Sequence, residues 1–311
     1  MTGDFARLWR GFWQLADPKI WIASTIPMVV GAALAYGLEG VFNLYWFICS
    51  LVGVYLIEIG KNAINEFVDY ESGVDRFVTP DRRTPFSGGK KTIVDGLLTV
   101  KETRAIAVFT MLGGAAVGLY ITFFREHIVF WLGIAGFLLA TFYSLPPFKF
   151  CYRGLGEFVV GLAFGPLILS GSYLVQAHKL KTEAVIASMA IGFLITNVLW
   201  INQYPDYEAD SLGNKKNWVV RLGRKSGVRV YTLLYVLAYL SLAVLIIFTR
   251  NPLWLLACLG VPFARRSVAV ARRYYDDIPR LVEANAKTVQ VYQLTGLGLA
   301  AAAVLSKVTL V

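Results

Sequence analysis

Two clusters of carboxylates and carboxamides stand at the ends of apolar runs. The first reads Asn62-Ala-Ile-Asn65-Glu66-Phe-Val-Asp69-Tyr-Glu-Ser-Gly73-Val-Asp75, and the second reads Asn202-Gln-Tyr-Pro-Asp206-Tyr-Glu-Ala-Asp210. Carboxylates beside hydrocarbon lose hydration that only a cation or hydrogen-bond donors can replace. Both clusters contain an Asn-x-x-x-Asp core, and two such groups facing each other repel unless a cation lies between them. The donor chemistry is that of hard oxygen. His127 and His178 fall far from both clusters, and Cys49, Cys151 and Cys258 lack metal-ligand or disulfide spacing. The expected cation is therefore Mg²⁺.

Basic segments follow each cluster. After the first come Asp81-Arg82-Arg83 and Gly88-Gly89-Lys90-Lys91; after the second come Lys215-Lys216-Asn217 and Arg221. Arg and Lys beside a carboxylate-held Mg²⁺ make a phosphate clamp, with the metal bridging acid groups to phosphate oxygens. Arg82, Arg83, Lys91 and Lys215 are the residues expected in that role. The remaining cations are expected only to set membrane topology.

The elements that must position these groups are membrane helices. Hydrophobic residues make up 57% of the 311-residue chain against 16% charged, and a mean hydropathy of +0.58 excludes an ordinary soluble domain. Nine apolar runs are expected to be helical, near 20–38, 44–66, 104–123, 128–146, 155–176, 184–203, 230–248, 253–270 and 288–306. The eighth is interrupted by Arg265 and Arg266. Continuous apolar runs without alternation exclude a β-barrel. The class expected is an all-α, multi-pass transmembrane bundle forming one domain over 1–311. Residues 1–18 are expected to form an interfacial segment, with active-site loops at 70–101 and 204–229.

The net charge of +10 is explained by topology and requires no nucleic acid. With a cytoplasmic amino terminus and nine helices, only Arg125, Lys179, Lys181, Arg250 and Lys307 fall on the outer side. Both acidic clusters then open onto the cytoplasmic face. On a helix, Glu58, Lys61, Asn62, Asn65, Glu66 and Asp69 share an arc of roughly 140°. Asn202, Asp206 and Asp210 would stack at i, i+4 and i+8 if their helix continued, although Pro205 is placed to kink it. The two similar ends suggest two related halves with a site between them.

These residues resemble the UbiA superfamily of intramembrane aromatic prenyltransferases. Asn65-Glu66-Phe-Val-Asp69 is similar to its motif after the second helix, and Asp206-Tyr-Glu-Ala-Asp210 to its motif after the sixth. Within it, the stretches DPKIWIASTIPMVVGAALAYG, DYESGVD, PFSGGKKTIVDGLLTVKE, YSLPPFKFCYRGLGEFVVGLAFGPLILSGSYLVQ and GNKKNWVVRLG resemble the branch that prenylates 1,4-dihydroxy-2-naphthoate in menaquinone biosynthesis. Glu66 departs from the usual Asp, and Asp75 stands six residues after Asp69, a spacing similar to that branch.

The resemblance implies a Mg²⁺-dependent transfer from a polyprenyl diphosphate to an aromatic acceptor at the lipid bilayer. The implied metal ligands are Asn65, Asp69, Asp206 and Asp210, with Glu66 and Asp75 as further candidates. Asn62, Asn202, Arg82, Arg83, Lys91, Lys215 and Arg153 are implied substrate contacts. Tyr143 is placed to meet the acceptor's ring oxygen and Lys149 its carboxylate or a phosphate, or the two serve as interfacial and topology residues. Rivals are a 4-hydroxybenzoate, homogentisate or glycerol-phosphate prenyltransferase and a cation-coupled transporter. A CDP-alcohol phosphotransferase lacks its longer Asp/Gly/Arg signature here. Acids gathered at one face instead of the midplane argue against the transporter.

Overall fold

The computed structural model describes residues 2–77, 84–86 and 89–309, and these residues form helices, turns and loops without a strand. An amphipathic helix α1 (Thr2–Ala16) leads through a 3₁₀ turn (Pro18–Trp21) into α2 (Ile22–Glu39), followed by α3 (Leu44–Ser72). Then come α4 (Val100–Phe124), α5 (Val129–Phe142), α6 (Gly156–Leu162) and α7 (Ser170–Ala177). The second half holds α8 (Thr182–Asn202), two short helices α9 (Tyr207–Leu212) and α10 (Trp218–Leu222), and the long helices α11 (Arg224–Thr249), α12 (Val261–Tyr274) and α13 (Ile278–Thr309). Eight helical stretches among the described residues are long and apolar enough to cross a membrane. α5 has 14 residues, about 21 Å against a hydrocarbon core of ~30 Å. It ends well before the expected residue 146, where Pro146 and Pro147 cannot continue it.

Local chemistry explains the boundaries. α3 runs six residues past the expected end because its last turns bury Glu66, Phe67, Val68 and Asp69 against protein. Thr99 and Glu102 form a reciprocal capping box that starts α4. Between α6 and α7 the chain widens into a π-helical segment, Ala163–Leu169, containing Pro166. Proline removes one amide donor and its ring crowds the preceding turn, which a widened turn accommodates. α8 stops at Asn202, and Gln203 to Pro205 form a turn. Asn202, Asp206 and Asp210 therefore do not stack on one continuous helix, contrary to the sequence expectation.

α3 packs along α4, whereas α13 runs against α2, α8 and α12, and α11 lies on α8. The larger core joins α2, α7, α8, α11, the 3₁₀ segment Pro252–Gly260, α12 and α13 around Tyr173, Ile191, Tyr231, Trp254 and Tyr292. A smaller core under α1 joins Leu15, Phe67, Leu98 and Met111. α1 leaves Phe5 and Trp9 exposed and holds the loop that precedes α4 by polar contacts. Arg7 donates to the Leu97 carbonyl and Glu102, and Gln14 to the Lys90 carbonyl.

One crossing depends on missing side chains. A Cβ at Gly165 would lie 2.5 Å from the Ser188 carbonyl oxygen and 2.7 Å from the Gly192 Cα, so the π segment and α8 touch backbone to backbone. Gly165→Leu is expected to force this crossing apart at a cost of about 1–3 kcal/mol. A lowered thermal-unfolding midpoint of the detergent-solubilised protein would show it; an unchanged midpoint would mean that the crossing carries no such constraint.

Candidate active site

The polar stripe of α3 is divided among three neighbours. Glu66, on one flank, is 2% exposed and accepts from the Lys91 and Ile93 amides at 3.2 Å and the Thr92 hydroxyl at 2.9 Å. Its carboxylate thus caps the loop after the first cluster. Asp75 is likewise committed, with Lys91 Nζ 2.5 Å from its Oδ1 and both side chains buried. Burial pushes the Asp75 carboxyl up to about 7, with Lys91 opposing. Glu66 and Asp75, expected as metal ligands, and Lys91, expected as a phosphate contact, are therefore occupied in holding the loop. The reason is local: the Lys91–Ile93 turn leaves donors that need buried acceptors. Arg82 and Arg83 lie outside the described residues.

Along the centre of the stripe, Asn65 Nδ2 donates to Asp69 Oδ2 at 3.2 Å and to Ser144 Oγ at 3.0 Å. Asp69, 5% exposed, is the meeting point of the two halves. Tyr152 donates its hydroxyl to Oδ1 at 2.6 Å, and Lys215 Nζ stands 3.0 Å from Oδ2. The same ammonium lies 3.8 Å from Asp210 Oδ1, and Asn217 donates to Asp210 Oδ2 at 2.7 Å. Burial pushes the Asp210 carboxyl up to about 7, with Lys215 opposing and Asp206 and Asp69 adding to the rise. Burial alone would push the Lys215 ammonium down, but Asp69 and Asp210 hold it well above its ordinary value. Lys215 therefore stands between the carboxylates as a cation.

The second half delivers Asp210 by short-range chain geometry. Asp206 precedes α9, its carbonyl accepts from the Asp210 amide at 2.8 Å, and the Asp210 carbonyl accepts from the Lys215 amide at 2.7 Å. Asn217 caps α10 through its Oδ1 while its amide group reaches Asp210. A Cβ at Gly213 would lie 2.2 Å from a Val74 methyl, so only glycine lets the two cluster loops meet this closely. Asn202 is drawn elsewhere: its Oδ1 accepts from Asn285 on α13 at 2.8 Å. That bond ties α8 to α13.

Other expected residues take varied places. Asn62 is 6% exposed and its Nδ2 has no hydrogen-bond partner. Lys149 lies 5.0 Å over the Tyr152 ring. Arg153 is exposed, and its carbonyl accepts from Arg221 at 2.8 Å. Tyr143 lines a cavity of about 530 Å³ between α2, α3, α4, α5, α6, the π segment and α7. Glu58 and Lys61 line the same cavity. Sequence alone did not single out Tyr152, Ser144, Asn217, Glu58 or Lys61 as site residues. Asn217 had a usable signal as the capping residue before a short apolar run; Tyr152 had none, since it comes from a loop distant in sequence.

Among the described residues no three His, Cys, Asp or Glu side chains converge on one point. The oxygens of Asn65, Asp69, Asp206 and Asp210 nevertheless suit Mg²⁺, which is commonly held by one or two carboxylates with substrate phosphates completing the shell. The buried Asp69–Asp210 pair, already bridged by a cation, fits that requirement.

The UbiA prenyltransferase family model matches residues 24–286. The chain belongs to the UbiA prenyltransferase family. It is 28% identical to the 2-carboxy-1,4-naphthoquinone phytyltransferase of Synechocystis over 94% of this chain and 92% of the relative. It is also 28% identical to the 1,4-dihydroxy-2-naphthoate octaprenyltransferase of Escherichia coli, over 85% and 89%. A UbiA homolog from Aeropyrum pernix superposes with a TM-score of 0.69 at 16% identity, covering 90% of this chain and 96% of that one. A UbiA homolog from Archaeoglobus fulgidus bound to GPP and Mg²⁺ superposes at 0.60 with 14% identity, covering 94% and 99%. These neighbours share the all-helical fold. This UbiA prenyltransferase is accordingly an integral, multi-pass membrane enzyme, and its paired acids are carried by α3 and α9, with α9 packed on the turn Val74–Phe77 that follows α3.

Two substitutions separate loop anchoring from metal holding. Glu66→Gln turns an NH₂ toward buried donors at a cost of about 1–3 kcal/mol. Faster amide exchange over 90–98 is expected, with apparent Mg²⁺ affinity unchanged within about twofold. Asp69→Asn is expected to weaken Mg²⁺ dependence by about tenfold or more. Equal Mg²⁺ losses in both variants would return Glu66 to the ligand set.

Proposed function

We propose that the protein transfers a polyprenyl group from a polyprenyl diphosphate to 1,4-dihydroxy-2-naphthoate, in menaquinone biosynthesis, with its site facing the cytoplasm. The observation that carries this is Lys215 between buried Asp69 and Asp210, beside a large apolar cavity. Such a site offers cations and oxygens to a diphosphate and hydrocarbon walls to a polyprenyl tail. The naphthoate acceptor is supported by the names of relatives that match most of this chain. The diphosphate and Mg²⁺ are supported by the bound Archaeoglobus homolog.

Asn65, Asp69, Asp206 and Asp210 would hold Mg²⁺, which supplies positive charge against the departing diphosphate when bound. Lys215 donates to a diphosphate oxygen, and Tyr152 holds Asp69 in orientation. The allylic C–O bond breaks with its electron pair leaving on diphosphate. Ring electrons of the acceptor form the new C–C bond, and the ring carboxylate departs as CO₂, its bonding pair returning to the ring. Donors aimed at the leaving group favour the transition state because negative charge grows there as the bond breaks. The apolar cavity keeps water from the allylic carbon, and a route from the bilayer spares the polyprenyl tail from crossing water.

Purified protein with Mg²⁺, a polyprenyl diphosphate and the naphthoate is expected to yield a prenylated naphthoquinol, CO₂ and diphosphate. Asp69→Ala and Asp210→Ala are each expected to lower kcat by about 100-fold or more while the helical circular dichroism stays intact. Turnover of 4-hydroxybenzoate or homogentisate with none of the naphthoate would reassign the acceptor. Full activity in either Asp variant would refute the metal and diphosphate site.

A further inference from the structure

Lys61 is a lysine without a hydrogen-bonded or ion-paired carboxylate among the described residues, on the wall of an apolar cavity. It lies one turn before Asn65 on α3, and its ammonium sits 5.8 Å over the Tyr143 ring. It forms no hydrogen bond or ion pair among the described residues, whereas Lys90, Lys91 and Lys215 all pair with carboxylates. Glu58, three residues earlier, is 6% exposed and accepts from the Ser24 hydroxyl. Both side chains line the cavity of about 530 Å³, whose walls are otherwise largely aliphatic and aromatic, with Ile57, Phe137 and Phe164 among them.

Charged groups at such a wall are costly unless something they bind repays desolvation. A polyprenyl tail has no polar atom for either residue. Diphosphate oxygens have metal ligands further along the helix at Asn65 and Asp69, and a cation at Lys215 in the loop before α10. A flat aromatic acid with ring hydroxyls suits the position: its carboxylate matches Lys61, a hydroxyl matches Glu58, and its ring fits the apolar walls.

Building on the prenyl-transfer function above, we propose that Lys61 and Glu58 form the acceptor-recognition pair, Lys61 taking the carboxylate and Glu58 accepting from a ring hydroxyl. The pair selects hydroxylated aromatic acids. Lys61 and Asn65 are four residues apart, about 6 Å along the helix axis, so α3 itself sets the ring's distance from the diphosphate. Lys149, for which the sequence left the acceptor carboxylate or a phosphate open, lies over the Tyr152 ring beside the acid pair.

Equilibrium binding to the full-length protein in neutral-lipid nanodiscs, without prenyl diphosphate, tests the pair. The probes are 1,4-dihydroxy-2-naphthoate and 1,4-dihydroxynaphthalene, which keeps the ring and hydroxyls but lacks the carboxylate. Wild type is expected to bind the acid about tenfold or more tightly than the diol. Lys61→Gln should remove that preference while leaving diol affinity within about twofold, and Lys61→Arg should restore it. Glu58→Leu should weaken both ligands by a like factor. An unchanged KM for the prenyl diphosphate in Lys61→Gln shows that the fold is intact and that Lys61 is not a diphosphate ligand. A raised diphosphate KM with unchanged acid affinity would overturn the proposal, as would equal binding of acid and diol to wild type. Undiminished diol affinity in Glu58→Leu would overturn Glu58's part. Failure of wild type to prenylate any acceptor would refute the function proposed above, and the binding comparison would still decide the role of Lys61.

Discussion

The ammonium of Lys215 between Asp69 and Asp210 is the constraint on which the site depends. Two buried carboxylates at this separation repel, and withdrawing the cation would leave uncompensated charge at a cost of several kcal/mol. The same contact joins the halves of the chain, because Asp69 belongs to α3 whereas Asp210 and Lys215 belong to the loop region after α8. Tyr152 and Asn217 then fix the remaining carboxylate oxygens. A site so arranged is already balanced for one positive charge, which a metal-bound diphosphate has to replace or share.

The surroundings keep this balance in place. Glu66 and Asp75 consume the donors of the loop over Lys91–Ile93, so the segment above the site is held by one acid of the helix end that carries Asp69 and one of the turn that follows it. α1 holds that loop from the other side through Arg7 and Gln14. Conserving charge compensation at the membrane boundary thus uses nearly every acid of the first cluster, though only part of the cluster faces the second half.

The helices were legible in the sequence because hydrocarbon demands long apolar runs, and each expected run contains a helix. Their ends were less legible. α3 continues through Glu66 and Asp69 because protein partners replace water there, and no hydropathy window registers those partners. α8 ends at Asn202 because the chain turns at Gln203–Pro205, so the pattern shared with Asn65 and Asp69 is one of spelling more than of geometry. Asp69, Asp210 and Lys215 were singled out from residue type and position, and the structure brings them together. The division of labour within the first cluster was not accessible, because Glu66 and Asp69 are alike chemically and differ only in which neighbour meets them about 60° apart around the helix. Tyr152 was hidden for a similar reason: a tyrosine beside a basic loop reads as interfacial until its hydroxyl is found on Asp69.

The two halves hold their acids by different means, and that difference orders the site. Asp69 and Asn65 ride on a continuous helix buried against α4, whereas Asp210 depends on a turn, a short helix and the capping Asn217. Shifts in the second half therefore move Asp210 and Lys215 relative to Asp69 without disturbing anything further along α3. Glu58 and Lys61 share the helix with Asn65 and Asp69, so their spacing is set by helical rise alone. A ring seated against Glu58 and Lys61 would keep one distance from the first-half acid, whatever adjustment the second half makes around the diphosphate. Specificity for the ring and grip on the diphosphate would then be separable properties, the first belonging to one rigid element and the second to the junction between two.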